Sequence, residues 1–182
     1  MKTYQEYVTE IKSTVPRSEW SWLQLGVDGG EALWFSDQGE IHLIIQKDNT
    51  RSIIIGEPIA RESEEFSLYQ IVFFRDGEWN QTNQGGAEKI FPWVIERIKD
   101  FLKIKPEIVR FTAKREELSR IRLYDTMVKL LLRHEPEYEL IELPSSEWGK
   151  GKPYYIVHET ITEGFMYDEL VDALTDYNRS FA

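Results

Sequence analysis

The sequence predicts an α+β fold, a mixed α/β arrangement in which a mainly antiparallel sheet is flanked by helices. Up to residue 82 the apolar runs are short, β-branched or aromatic, and separated by turn residues. From residue 87 the apolar spacing becomes helical twice, on either side of a strand-like segment at 107–113. A strand between two helices reaches its neighbour by a crossover, which sets it beside an earlier strand and makes the sheet mixed.

Each element has a local cause. Tyr4, Val8 and Ile11 share a helical face with Tyr7 alongside, so a helix is expected over about 3–14, closed by Pro16. ALWF (32–35), EIHLIIQ (40–46) and SIIIG (52–56) read as strands. EFSLYQIVFFR (65–75) and EWNQT (78–82) flank Asp76-Gly77, a dipeptide that tolerates the positive φ of a tight hairpin. Phe91, Val94, Ile95, Ile98 and Leu102 then form a helical stripe. Pro92 is comfortable only in a first turn, so the regular helix is expected to begin near Ile90. After Pro106 and the strand EIVRFTA, Ile121, Tyr124, Val128 and Leu131 share one face of a second helix ending near His134 to Pro136. YELIEL (138–143) and YYIVHE (154–159) are two closing strands joined by a polar loop, and YDELVDALTDY (167–177) is a short acidic helix.

A chain of 182 residues and 21.5 kDa, 41% hydrophobic and 13% aromatic, suits one domain over 1–182 with a substantial core. The absence of cysteine excludes disulfides, thiolate metal sites and cysteine nucleophiles. The N-terminal stretch has acids where a signal peptide has its apolar core, and no run reaches membrane-spanning length, so a cytoplasmic protein without membrane contact is expected. The sequons at Asn80 and Asn178 are then chance matches. A net charge of −10 argues against general nucleic-acid binding. The charge is uneven: residues 89–133 carry 12 basic and 6 acidic side chains, against 7 and 15 before them and 3 and 11 after. That basic middle either faces an anionic ligand or pairs with its acidic flanks.

The stretch TNQGGAEKIF offers a candidate site. Gly85 and Gly86 would let backbone N–H groups approach a pyrophosphate at the start of a helix, or would only turn the chain. Lys89, Arg120 and Arg122 are cations in reach of a further phosphate. Tyr124 is either a proton donor or a core aromatic with its hydroxyl at the edge. His42, His134 and His158 are too dispersed for a metal set, and no metal is expected; His42 suits a sheet and His134 a helix C-terminus. Glu62, Glu64 and Glu65 lie in a loop-like run and read as solvated, and neither a P-loop nor a G-x-S-x-G element occurs.

Over roughly residues 40–158 this order resembles the GNAT N-acetyltransferase superfamily, in which a strand enters a glycine-rich loop and helix, followed by a strand, a second helix and a closing strand pair. The family's loop reads Arg or Gln, two residues, Gly, one residue, then Gly or Ala. Here Gly85 and Ala87 fill the small positions, while Thr82 stands where Arg or Gln is expected. In FTAKREELSRIRLYDTMVKLL, Tyr124 matches the family tyrosine that protonates departing coenzyme A. The resemblance implies acetyl-CoA as cofactor, held by Thr82, Gln84, Gly85, Gly86, Ala87 and Arg120, and Tyr124 as acid. It also implies Glu78 as the general base and an amine acceptor on a small molecule or protein. The segment IVRFTAKREELSRIRLYDTMV is also similar to one in poorly characterised phage and mobile-element proteins. That likeness leaves open a non-catalytic GNAT-like protein that binds a macromolecular partner, with Trp20, Trp22 or Trp148 as contact residues.

Overall fold

Strands of one sheet join two cores that lie on its opposite faces. The computed structural model describes residues 31–35, 41–48, 50–55, 64–75 and 87–181. In chain order these form β1 (Glu31–Phe35), β2 (Ile41–Lys47), β3 (Ile53–Ile55), β4 (Glu64–Phe66), β5 (Leu68–Arg75), α1 (Ala87–Leu102) and β6 (Ile108–Lys114). Then follow α2 (Leu118–His134), β7 (Tyr138–Ile141), a 3₁₀ turn at Ser145–Glu147, β8 (Gly151–His158), α3 (Glu159–Thr162) and α4 (Tyr167–Arg179). The expected helix over 3–14 and the Asp76-Gly77 hairpin lie outside the described residues.

The main sheet has six strands in the order β1-β2-β5-β6-β8-β7, and β3 and β4 form a separate pair. Every neighbouring pair in it is antiparallel except β5 and β6, which the α1 crossover makes parallel. This is the mixed, mainly antiparallel α+β architecture that the sequence predicts.

Alternation along the strands assigns side chains to faces. Val109, Phe111 and Ile156 join Leu43, Ile45 and Ile71 under α1 and α2, which contribute Val94, Ile98, Met127 and Leu131. Ile108, Tyr155 and Val157 point the other way, into a core closed by Ile53 and Ile55 of β3 and by Leu170 and Leu174 of α4. Covered on both faces, β8 is buried continuously from Pro153 to His158, which is why it reads as an unbroken apolar run.

Four features differ from expectation. α1 begins at Ala87 rather than Ile90 and runs through Pro92. A proline there costs about 3 kcal/mol. The turns after it bury Val94, Ile95, Ile98, Phe101 and Leu102, at roughly 1.5–3 kcal/mol each, so the helix as a whole tolerates that cost. The run 65–75 is broken at Ser67, whose N–H donates to the Glu107 carboxylate at 2.6 Å instead of to a ladder. Glu64 and Glu65, expected in a loop, are solvent-facing residues of β4. β8 starts at Gly151, three residues before the predicted strand, because its first rungs pair with the end of β6.

Leu174 is fully buried at the centre of the α4 core. Leu174→Ala should therefore lower unfolding free energy by about 2–5 kcal/mol, measured as a reduced urea midpoint at unchanged slope.

Candidate functional site

After three rungs the two parallel strands part. Leu68, Tyr69 and Gln70 pair with Ile108, Val109 and Arg110, and the pairing stops there. β5 continues to Arg75 along β2, and β6 continues to Lys114 along β8. Past the Gln70–Arg110 rung, each strand has one edge of N–H and C=O groups that no described strand pairs. Such edges demand partners.

An aromatic group lies on one face of this parting. Phe111, the first β6 residue past the last rung, stacks on Tyr154 with ring centroids 5.0 Å apart. Tyr124 meets both rings edge-on, at 5.3 and 5.8 Å. Only 5% of Tyr124 is exposed. Burial pushes its hydroxyl well above the ordinary tyrosine range, with Arg120 opposing and Glu117 adding to the shift, so the phenol keeps its proton at neutral pH. The Tyr154 hydroxyl donates to Asp125 at 2.7 Å, and Lys152 donates to the same carboxylate oxygen at 2.9 Å. Burial raises the Asp125 pKa, but these hydrogen bonds and the Lys152 charge outweigh it and hold the carboxyl below its usual range.

Arg110 occupies the opposite face at the last rung, 8% exposed. Its Nε donates to the Tyr155 hydroxyl at 3.2 Å, and its two terminal nitrogens to Gln70 Oε1 at 3.1 Å and Asn178 Oδ1 at 3.0 Å. Asn178 in turn donates to the Glu147 carbonyl at 2.7 Å. The Tyr177 hydroxyl donates to Asp48 at 2.7 Å, which secures α4 to the end of β2. Burial, and then this hydrogen bond, push the Tyr177 hydroxyl up.

Of the residues singled out from sequence, Tyr124 and Arg120 both lie on α2, and Ala87 is the first residue of α1. Arg120 bonds Glu117 at 2.8 Å. Glu78, Thr82, Gln84, Gly85, Gly86, Trp20 and Trp22 lie outside the described residues. Trp148 is half-buried rather than exposed, flanked by Arg115 and Lys152 at 5.6 and 5.5 Å, with its indole N–H on the Leu143 carbonyl. His42 lies on β2 and His134 ends α2, as expected. His158 is buried and caps α3, its Nδ1 accepting the Thr160 N–H. Sequence reasoning passed over Arg110, although a lone cation inside the apolar run IVRFTA was visible. It also passed over Asn178, read only as part of a sequon.

Among the described residues no three His, Asp or Glu side chains form a metal set, and no helix is long and apolar enough to cross a membrane. No protein-family model matches the chain, and no curated protein matches it in sequence.

The depressed Asp125 carboxyl has a definite consequence for stability. Its unfolded pKa is about 3.9, so its contribution is present above that pH and is lost as pH falls through the lower folded value. Asp125→Asn should flatten the acid limb of a denaturant-midpoint profile between about pH 5 and pH 2 and leave the neutral-to-alkaline shape unchanged.

Proposed function

We propose that the protein is a GNAT-like acyltransferase that moves an acetyl group from acetyl-CoA to an amine. The parting of β5 and β6 supports this reading. The pantetheine arm of coenzyme A is an extended chain bearing amides, and laid in the gap it would satisfy the open strand edges as an added strand does. Its thioester end would then lie beside the aromatic group containing Tyr124.

In the reaction the amine nitrogen attacks the thioester carbonyl carbon, and the tetrahedral adduct collapses with cleavage of the carbon–sulfur bond. The departing thiolate takes the Tyr124 proton, and Glu78 or water takes the proton lost by the amine. Burial keeps the phenol protonated before the step, so its proton is present for the sulfur as the carbon–sulfur bond breaks. Thr82, Gln84, Gly85, Gly86 and Ala87 would receive the pyrophosphate at the opening of α1, with Arg120 beside a further phosphate.

The near-complete burial of Tyr124 and the bond between Arg120 and Glu117 favour a second reading, a non-catalytic GNAT-like protein that binds a macromolecular partner. Calorimetric titration with acetyl-CoA and CoA separates the two. The first reading requires saturable binding that is lost when Gly85 and Gly86 are replaced by bulky residues. Tyr124→Phe, which keeps the ring contacts, should leave affinity unchanged and lower turnover about 100-fold or more. Absence of binding, with a defined protein recovered in a stable complex, supports the second.

A further inference from the structure

A second cavity lies on the far side of the sheet from α1 and α2. It has a volume of about 230 Å³ and is lined by Arg110, Thr112, Trp148, Lys150, Asn178 and Phe181, together with Gly149 and Gly151. We infer that this cavity binds the carboxylate group of a small organic molecule, with the Arg110 guanidinium as its principal anchor and the Lys150 ammonium at its mouth.

Arg110 is more than nine-tenths buried; its hydrogen-bond partners are a phenol and two side-chain amides, and the rings of Tyr155, Tyr177 and Phe181 lie against the guanidinium, so every partner is neutral. No described carboxylate lies within ion-pair distance of it. A guanidinium has five N–H donors, of which these bonds use three, so two remain for an oxyanion. Burying a cation without an anion is costly, and a planar carboxylate matches the guanidinium fork. Asp48, the nearest acid in the network, is reached only through the Tyr177 hydroxyl and Gln70.

The wall chemistry agrees. Among the described residues no Asp or Glu lines this cavity, whereas a larger one of about 370 Å³ sets Asp48 and Glu65 against Lys47 and Arg51 and so cancels its charge. Glu147, close by in sequence, is occupied by two bonds from Arg179 at 3.0 and 3.1 Å. Trp148 and Phe181 line the apolar part of the wall, and the Phe181 ring, with its centroid 4.7 Å from the Arg110 guanidinium carbon and 4.5 Å from that of Arg51, holds the anchor in place. The loop is built to stay close: a Cβ on Gly151 would stand 2.5 Å from the Ala113 carbonyl oxygen, and Gly149 has φ +61°. The two guanidinium N–H donors left over lie in one plane and match the two oxygens of a planar carboxylate; phosphate is the competing oxyanion that the test separates. The inference stands whether or not the strand gap holds coenzyme A.

The test is nuclear magnetic resonance of the full chain, following the Arg110 Nε–H and the Trp148 indole N–H while acetate, propionate or benzoate is added, with inorganic phosphate as a parallel probe. Saturable shifts of both resonances with a carboxylate are expected, and Arg110→Gln should weaken binding about 10- to 100-fold. If Arg110→Gln does not fold, Thr112→Trp serves instead. It fills the cavity from an exposed β6 position, leaves the Arg110 bonds in place, and should abolish the shifts. Absence of saturable shifts in the native protein, undiminished binding in Thr112→Trp, or saturation by phosphate but not by carboxylates would overturn the assignment.

Discussion

Two halves of one sheet are joined by only three parallel rungs, and the last of them, Gln70 with Arg110, is where the structure is most constrained. On one side β1, β2 and β5 form an antiparallel group; on the other β6, β8 and β7 form a second, with β8 in the middle. Parallel pairing is slightly weaker per residue than antiparallel pairing, so three rungs alone make a weak seam. The side chains of the last rung reinforce it, because Arg110 bonds Gln70 directly across the strands. The same guanidinium reaches β8 through Tyr155 and α4 through Asn178. One cation thereby ties both halves of the sheet to the C-terminal helix.

β6 is pulled in two chemical directions by this arrangement. Its odd-numbered residues Val109, Phe111 and Ala113 face the apolar layer of α1 and α2, where packing is the only demand. Arg110 and Thr112 face a polar cavity under the end of α4. Between the faces runs the gap that opens once β5 and β6 separate. Past Ile108, β6 is thus apolar on one face, polar on the other and unpaired along one edge among the described strands. The proposed donor gap and the proposed carboxylate pocket share Arg110 as their common boundary.

Much of the scaffold was legible in the sequence because its causes are local. The stripe Val94, Ile95, Ile98 and Leu102 announced α1, and the run YYIV announced a strand, whose burial on both faces only the structure shows. Pro92 misled because a helix whose later turns are this well buried tolerates a proline beyond its first turn. Ser67 broke a continuous-looking strand for a reason 40 residues away, the Glu107 carboxylate. The polar network was the least legible part. Arg110, Tyr155, Tyr177 and Asn178 meet only after α4 folds back on β6, and no spacing along the chain encodes that meeting. Tyr124 was visible as a residue of the helix face, but its packing against Phe111 and Tyr154 needed the register of β6 with β8.

Under the proposed function, coenzyme A enters the sheet at the gap beyond the Gln70–Arg110 rung. Backbone amide shift mapping of the labelled protein during addition of coenzyme A tests it most directly. Saturable shifts concentrated at Ile71–Phe74 of β5 and Phe111–Lys114 of β6 are expected, with Leu68–Gln70 and β7 little affected. Saturable shifts confined to other elements, or no shifts along either open edge, would contradict it.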